Sequence, residues 1–147
     1  MGAFARLLAL SLLASLGFFC LSEVATAQTR VALVVGNNAY LKIDPLGNAV
    51  NDAAVISEEL RKSGFQVIRV IDGKAADIQD AKKRFLAAVA NGGIGVFYFS
   101  GHGLQVEGRN FLLPVDFSDI SENGLAQQAL SVPAFLDDLE RAKPRLS

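Results

Sequence analysis

Two rhythms of apolar residues run along the chain. One is the short unbroken run. Arg30 to Val35 (Arg-Val-Ala-Leu-Val-Val) and the glycine-bounded run Ile94 to Phe99 have the length and β-branched or aromatic content of strands buried on both faces. Gln66 to Ile71 alternates toward a third strand. The other rhythm is helical. Val50, Ala53, Ile56 and Leu60 form one stripe, with Asn48 as its N-cap and Ser63-Gly64 as its end. Ile78, Ala81, Phe85 and Val89 form a second stripe between Ala75 and Ala90, closed by Asn91-Gly92-Gly93. Tyr40 to Gly47 reads as a loop, with Pro45 barring helix there. The order is β-α-β-α-β with short connections, including the turn Asp72-Gly73. It predicts an α/β fold: a mostly parallel sheet in the order 2-1-3 with helices on both faces.

Beyond residue 102 the rhythm changes. Leu104 to Val106 and Asn110 to Leu113 flank Glu107-Gly108-Arg109, which predicts a β-hairpin. Pro114 to Asn123 reads as loop. Ser131 caps a helix over Val132 to Ala142, with Phe135, Leu136 and Leu139 as its apolar side and Pro144 as its stop. Arg145-Leu146-Ser147 reads as the start of a fourth strand.

The N-terminal segment follows a different pattern. Arg6 is the only charge before the apolar stretch Leu7 to Leu21, which is shorter than the roughly 20 residues a membrane span needs. Ala25-Thr26-Ala27 supplies the small residues of a cleavage site. Residues 1–27 therefore read as a signal peptide, and residues 28–147 as one exported domain with no stable membrane span. An uncleaved anchor is the alternative reading. Cys20, the single cysteine, lies in the apolar stretch and is removed with it, so the mature chain has no disulfide.

Composition narrows the chemistry. With 51% hydrophobic and 20% charged residues, the chain can build a core. A net charge of −1 and the lack of a basic run argue against nucleic acid held through its phosphates. One histidine and no mature cysteine make a poor metal site. Gly36-Asn37-Asn38 has neither a glycine-rich fingerprint nor a phosphate-binding lysine.

The remaining candidate is the turn Ser100-Gly101-His102-Gly103. It presents the one histidine at the C-terminal end of a strand, where ligands of open α/β sheets bind. Its flanking glycines permit positive φ, and imidazole suits proton transfer near neutral pH. A purely structural turn histidine is the alternative. Ser100 and His102 are too close around a glycine to face one another as a serine-hydrolase pair, and no Gly-x-Ser-x-Gly elbow is present.

Val31-Ala32-Leu33-Val34-Val35-Gly36-Asn37, Asn48-Ala49-Val50-Asn51-Asp52-Ala53, Tyr98-Phe99-Ser100-Gly101-His102-Gly103 and Gly108-Arg109-Asn110-Phe111-Leu112-Leu113-Pro114 together resemble the caspase-like cysteine peptidases, peptidase family C14. The bacterial metacaspase-type branch is the most similar. The resemblance covers Arg30 to Ser147 and implies a three-layer αβα domain, of which this chain is the N-terminal, p20-like part. It implies a Cys–His dyad with His102 as general base and the Gly103 N–H as an oxyanion donor. It places Asp52 and Ser100 in a pocket for Arg or Lys, implying a peptide or protein substrate with a basic residue before the scissile bond. Asp52 equally fits a first helical turn, where the macrodipole favours an anion, and Ser100 a plain turn. The family's nucleophilic cysteine follows the histidine by about 50 residues, which places it after Ser147. As given, the chain is expected to be inactive. A non-catalytic protein-interaction module is the alternative. No cofactor is implied, and calcium dependence is left open.

Overall fold

The structure, a computed structural model, describes residues 28–90 and 92–142. The expected signal peptide and the start of a fourth strand at Arg145 lie outside them. The chain runs β1 (Arg30–Gly36), α1 (Ala49–Lys62), β2 (Gln66–Ile71), α2 (Ala75–Val89), β3 (Ile94–Ser100), β4 (Gly103–Val106), β5 (Arg109–Leu112), α3 (Glu122–Gln128), β6 (Leu130–Ser131) and α4 (Val132–Arg141).

β1, β2 and β3 form a parallel sheet in the order β2-β1-β3, as the alternation of strand and helix requires. β1 lies in the middle, and Val31 to Val35 are all buried. Its side chains divide between two layers. Val31, Leu33 and Val35 pack with Ile78, Ala81, Phe85 and Val89 of α2 and with Phe135 of α4. Ala32 and Val34 pack against Ala53 of α1, with Ile56 and Leu60 beside it. The result is helix, sheet, helix, the three-layer arrangement expected of a caspase-like domain.

Three expectations need adjustment. β3 is half-buried rather than buried on both faces, because among the described residues it pairs only with β1. The most buried line of α1 is Ala49, Ala53 and Ser57, not Val50, Ile56 and Leu60. The cause is close approach: a Cβ on Gly36 would lie 2.5 Å from the Ala53 Cβ, so only small residues fit at that crossing. On α4, Phe135 is buried and Leu139 partly so, but Leu136 is exposed.

A second antiparallel sheet, β4-β5-β6, follows. Glu107 and Gly108 both take positive φ and form the two-residue hairpin turn between β4 and β5. This sheet carries its own cluster, in which Phe111, Leu113, Val115, Phe117 and Leu125 surround Tyr40 from the loop after β1. That cluster reaches the C-terminal edge of the parallel sheet. No helix among the described residues is long and apolar enough to cross a membrane.

Candidate active site

The C-terminal ends of β1 and β3 are adjacent, with Gly36 opposite Ser100. The Asn37 N–H donates to the Ser100 carbonyl at 2.9 Å, so the loop after β1 and the turn after β3 leave the sheet together. Asp72, at positive φ after β2, accepts from the N–H groups of Asn38 and Ala39 at 2.7 and 2.8 Å. Asn37 is fully buried. Its Nδ2 donates to the Leu113 carbonyl at 3.1 Å, and its Oδ1 accepts from the Gly73 N–H at 2.9 Å. Three strand ends are thereby tied into one platform.

His102 sits on that platform, held at three points. Its backbone N–H donates to the Tyr40 hydroxyl at 2.7 Å. That hydroxyl donates in turn to the Leu113 carbonyl at 3.1 Å. The Tyr40 ring meets the imidazole edge-on, with centroids 4.6 Å apart. The third point is the imidazole Nε2, 2.8 Å from the Asp44 carbonyl oxygen. A carbonyl only accepts, so this bond requires the proton on Nε2. The neutral ring then carries its lone pair on Nδ1, which is the basic nitrogen. Burial pushes the Tyr40 phenol above its ordinary pKa and keeps it a neutral donor; the bond from His102 opposes this more weakly.

The glycines beside His102 act through space rather than through positive φ, which neither adopts. A Cβ on Gly101 would stand 2.6 Å from the Tyr40 hydroxyl oxygen and 2.8 Å from Phe99. Any larger residue would push Tyr40 off His102. Gly103 opens β4 opposite Leu112. The Leu113 N–H donates to the His102 carbonyl, so Gly103 occupies the next, non-hydrogen-bonded position of the ladder. Its N–H therefore points away from β5, on an exposed edge strand next to the imidazole.

Asp52 and Ser100 meet, but loosely. The Ser100 Oγ lies 3.5 Å from Asp52 Oδ2, at the long limit of a hydrogen bond. Asp52 Oδ1 accepts from Asn48 Nδ2 at 2.6 Å. Asn48 thus occupies the N-cap position without a side-chain bond to the helix N–H groups, and spends its amide on Asp52 instead. Both Asp52 and Ser100 are half-buried. A separate cavity of about 260 Å³ opens on the other residues of the site and includes His102 and Gly103 but neither Asp52 nor Ser100.

Tyr40, Asn37 and the Asp44 carbonyl escaped sequence reasoning. A loop of mixed polarity gives no periodic signal, and a backbone acceptor gives none at all.

A parallel αβα sheet in the order β2-β1-β3 with the histidine on the turn after β3 is consistent with a caspase-like fold, and the comparison with known proteins shows the family. Residues 29–143 match the caspase domain, Peptidase_C14, and the chain belongs to that family. It is similar to mucosa-associated lymphoid tissue lymphoma translocation protein 1 of Homo sapiens and to the homolog in Mus musculus. Each is 32% identical over 104 residues, or 69% of this chain. The match spans 13% of the human relative and 12% of the mouse one, a small part of much longer chains.

Proposed function

We propose that this chain is the base-bearing part of an exported cysteine-type endopeptidase that cleaves after Arg or Lys. The observation that carries the reading is the His102 clamp, in which the Asp44 carbonyl accepts the hydrogen bond of Nε2–H and leaves Nδ1 free as a base. In the proposed reaction Nδ1 takes the proton of a cysteine thiol, and the thiolate attacks the peptide carbonyl carbon. The Gly103 N–H donates to the oxygen as it gains negative charge. When the C–N bond breaks, Nδ1–H returns the proton to the leaving amine. Water then attacks the thioester with His102 again as base, the C–S bond breaks, and Nδ1–H returns the proton to the departing thiolate. Asp52, with Ser100 beside it, receives the guanidinium or ammonium of the residue before the scissile bond.

The cysteine itself is not among residues 28–147, since the single cysteine is Cys20. That observation favours a second reading, a non-catalytic module that binds peptides or proteins. An Asp-Ala-Cys-like run encoded downstream of Ser147 would support the first reading, and a downstream sequence without one the second.

The test is a peptidase assay of this chain joined to a downstream segment that carries such a cysteine. Cleavage after Arg or Lys is expected, and His102→Ala abolishes it. Asp52→Asn lowers kcat/KM for Arg substrates by about 1.5–3 kcal/mol, the worth of a hydrogen bond to a charged group, and spares neutral ones. Activity that survives His102→Ala overturns the mechanism. Equal losses on both substrates return Asp52 to its helix-dipole role.

A further inference from the structure

We propose that Asn48 is a positioning residue that fits the Asp52 pocket to lysine ahead of arginine. The proposal rests on the reading of Asp52 with Ser100 as the pocket for the residue before the scissile bond.

Asn48 stands at the N-cap of α1, where an Asn side chain ordinarily accepts from a helix N–H. Here it makes no such bond. Asn38 Oδ1 accepts from the Val50 N–H in its place, at 3.3 Å. The Asn48 amide is instead fixed by side chains at both ends. Its Oδ1 accepts from Asn51 Nδ2 at 3.3 Å, and its Nδ2 donates to Asp52 Oδ1 at 2.6 Å. A carboxylate only accepts, so the amide nitrogen must face Asp52.

This bond makes the two carboxylate oxygens unequal. Oδ1 is engaged by Asn48, whereas Oδ2 faces the Ser100 Oγ at 3.5 Å. A guanidinium binds a carboxylate best through two parallel N–H···O bonds, one to each oxygen. With Oδ1 engaged, the fork has to share one of its two acceptors with Asn48. An ammonium is a compact point charge whose three donors need no such plane. It meets Oδ2 and the Ser100 Oγ together. Asn48 thus costs arginine part of its geometric advantage and leaves lysine untouched. Its side chain is exposed, so its replacement leaves the buried clusters intact.

The test is fluorescence anisotropy on the chain with labelled peptides of one sequence that end in Lys amide, Arg amide or norleucine amide. The Lys peptide is expected to bind tighter than the Arg peptide. Asn48→Ala shifts that ratio about tenfold toward Arg, which regains one hydrogen bond to a charged group. Asn48→Asp, of the same shape and also a good N-cap, removes the donor and shifts the ratio the same way. Asp52→Asn reports on the pocket alone and brings both basic peptides down to the norleucine level. A wild type that prefers Arg, or a Lys-to-Arg ratio that neither Asn48 variant moves, overturns the role of Asn48. The pocket still stands in that case if both basic peptides outbind norleucine and Asp52→Asn removes the difference. Equal binding of all three peptides, or no binding of any, overturns the pocket and the proposal with it.

Discussion

The Tyr40 hydroxyl serves two backbone groups at once, accepting from the His102 N–H and donating to the Leu113 carbonyl. Tyr40→Phe keeps the ring against the imidazole but strands a donor and leaves the carbonyl with Asn37 alone. A loss of about 1–3 kcal/mol in stability is expected, the cost of a buried donor without a partner. The effect depends on pH in a defined direction. Burial raises the phenol above its ordinary value near 10, so the unfolded chain ionises first as pH rises. The contribution of Tyr40 is complete below pH about 10 and disappears as pH climbs through the folded value. Tm measured from neutral to alkaline pH should therefore fall more steeply in the wild type than in Tyr40→Phe. Parallel curves would show that the hydroxyl is not buried as described. Little of this was legible in the sequence. His102 and its glycines stood out because a lone imidazole between glycines is a local signal. Tyr40 and Asp44 matter through contacts across 62 and 58 residues of chain, which no local pattern encodes.

Among the elements, α4 shows both what patterning reveals and what it hides. Ser131 caps it as the sequence suggests, accepting from the Ala134 N–H. Phe135 is the anchor, edge-on to Phe97 with centroids 4.8 Å apart and 6.0 Å from Phe85. The ion pair that ties α4 to α2, Lys82 with Asp138 at 2.6 Å, had no sequence signature. Hydrogen bonds from Lys82 and then Arg141 hold the Asp138 carboxyl below its ordinary value. The stabilisation is thus complete above pH about 4 and lost as pH falls through the depressed folded value. Asp138 is partly exposed, so the pair is worth up to about 1 kcal/mol. Asp138→Asn should lower Tm slightly at neutral pH, and the difference should shrink as pH falls below about 4 through the depressed folded value. A difference that persists in acid would assign the effect to packing. The long stripe of α2 and the run of β1 were legible because each buries a contiguous face, and β3 because its apolar run is unbroken between glycines. α3 was not, since Glu-Asn-Gly-Leu-Ala-Gln-Gln buries only Gly124 and Leu125 and shows no stripe. β6 is two residues long, too short to carry a period.

At the scale of the whole molecule, the site lies on the seam between two cores. The parallel sheet supplies the turn that carries His102, and the smaller sheet supplies Leu113 and the cluster around Tyr40. The imidazole is held through contacts from both, so its tautomer reports on their assembly. His102 is the only histidine in the chain, which makes its ring nitrogens observable without assignment ambiguity. The decisive measurement is a long-range proton–nitrogen NMR spectrum of the untagged protein in alkaline buffer, where the neutral ring is observed. The expected result is one dominant tautomer, with the proton on Nε2 and an unprotonated Nδ1. A ring protonated mainly at Nδ1, or an even exchange between tautomers, would contradict the clamp and remove His102 as a poised base.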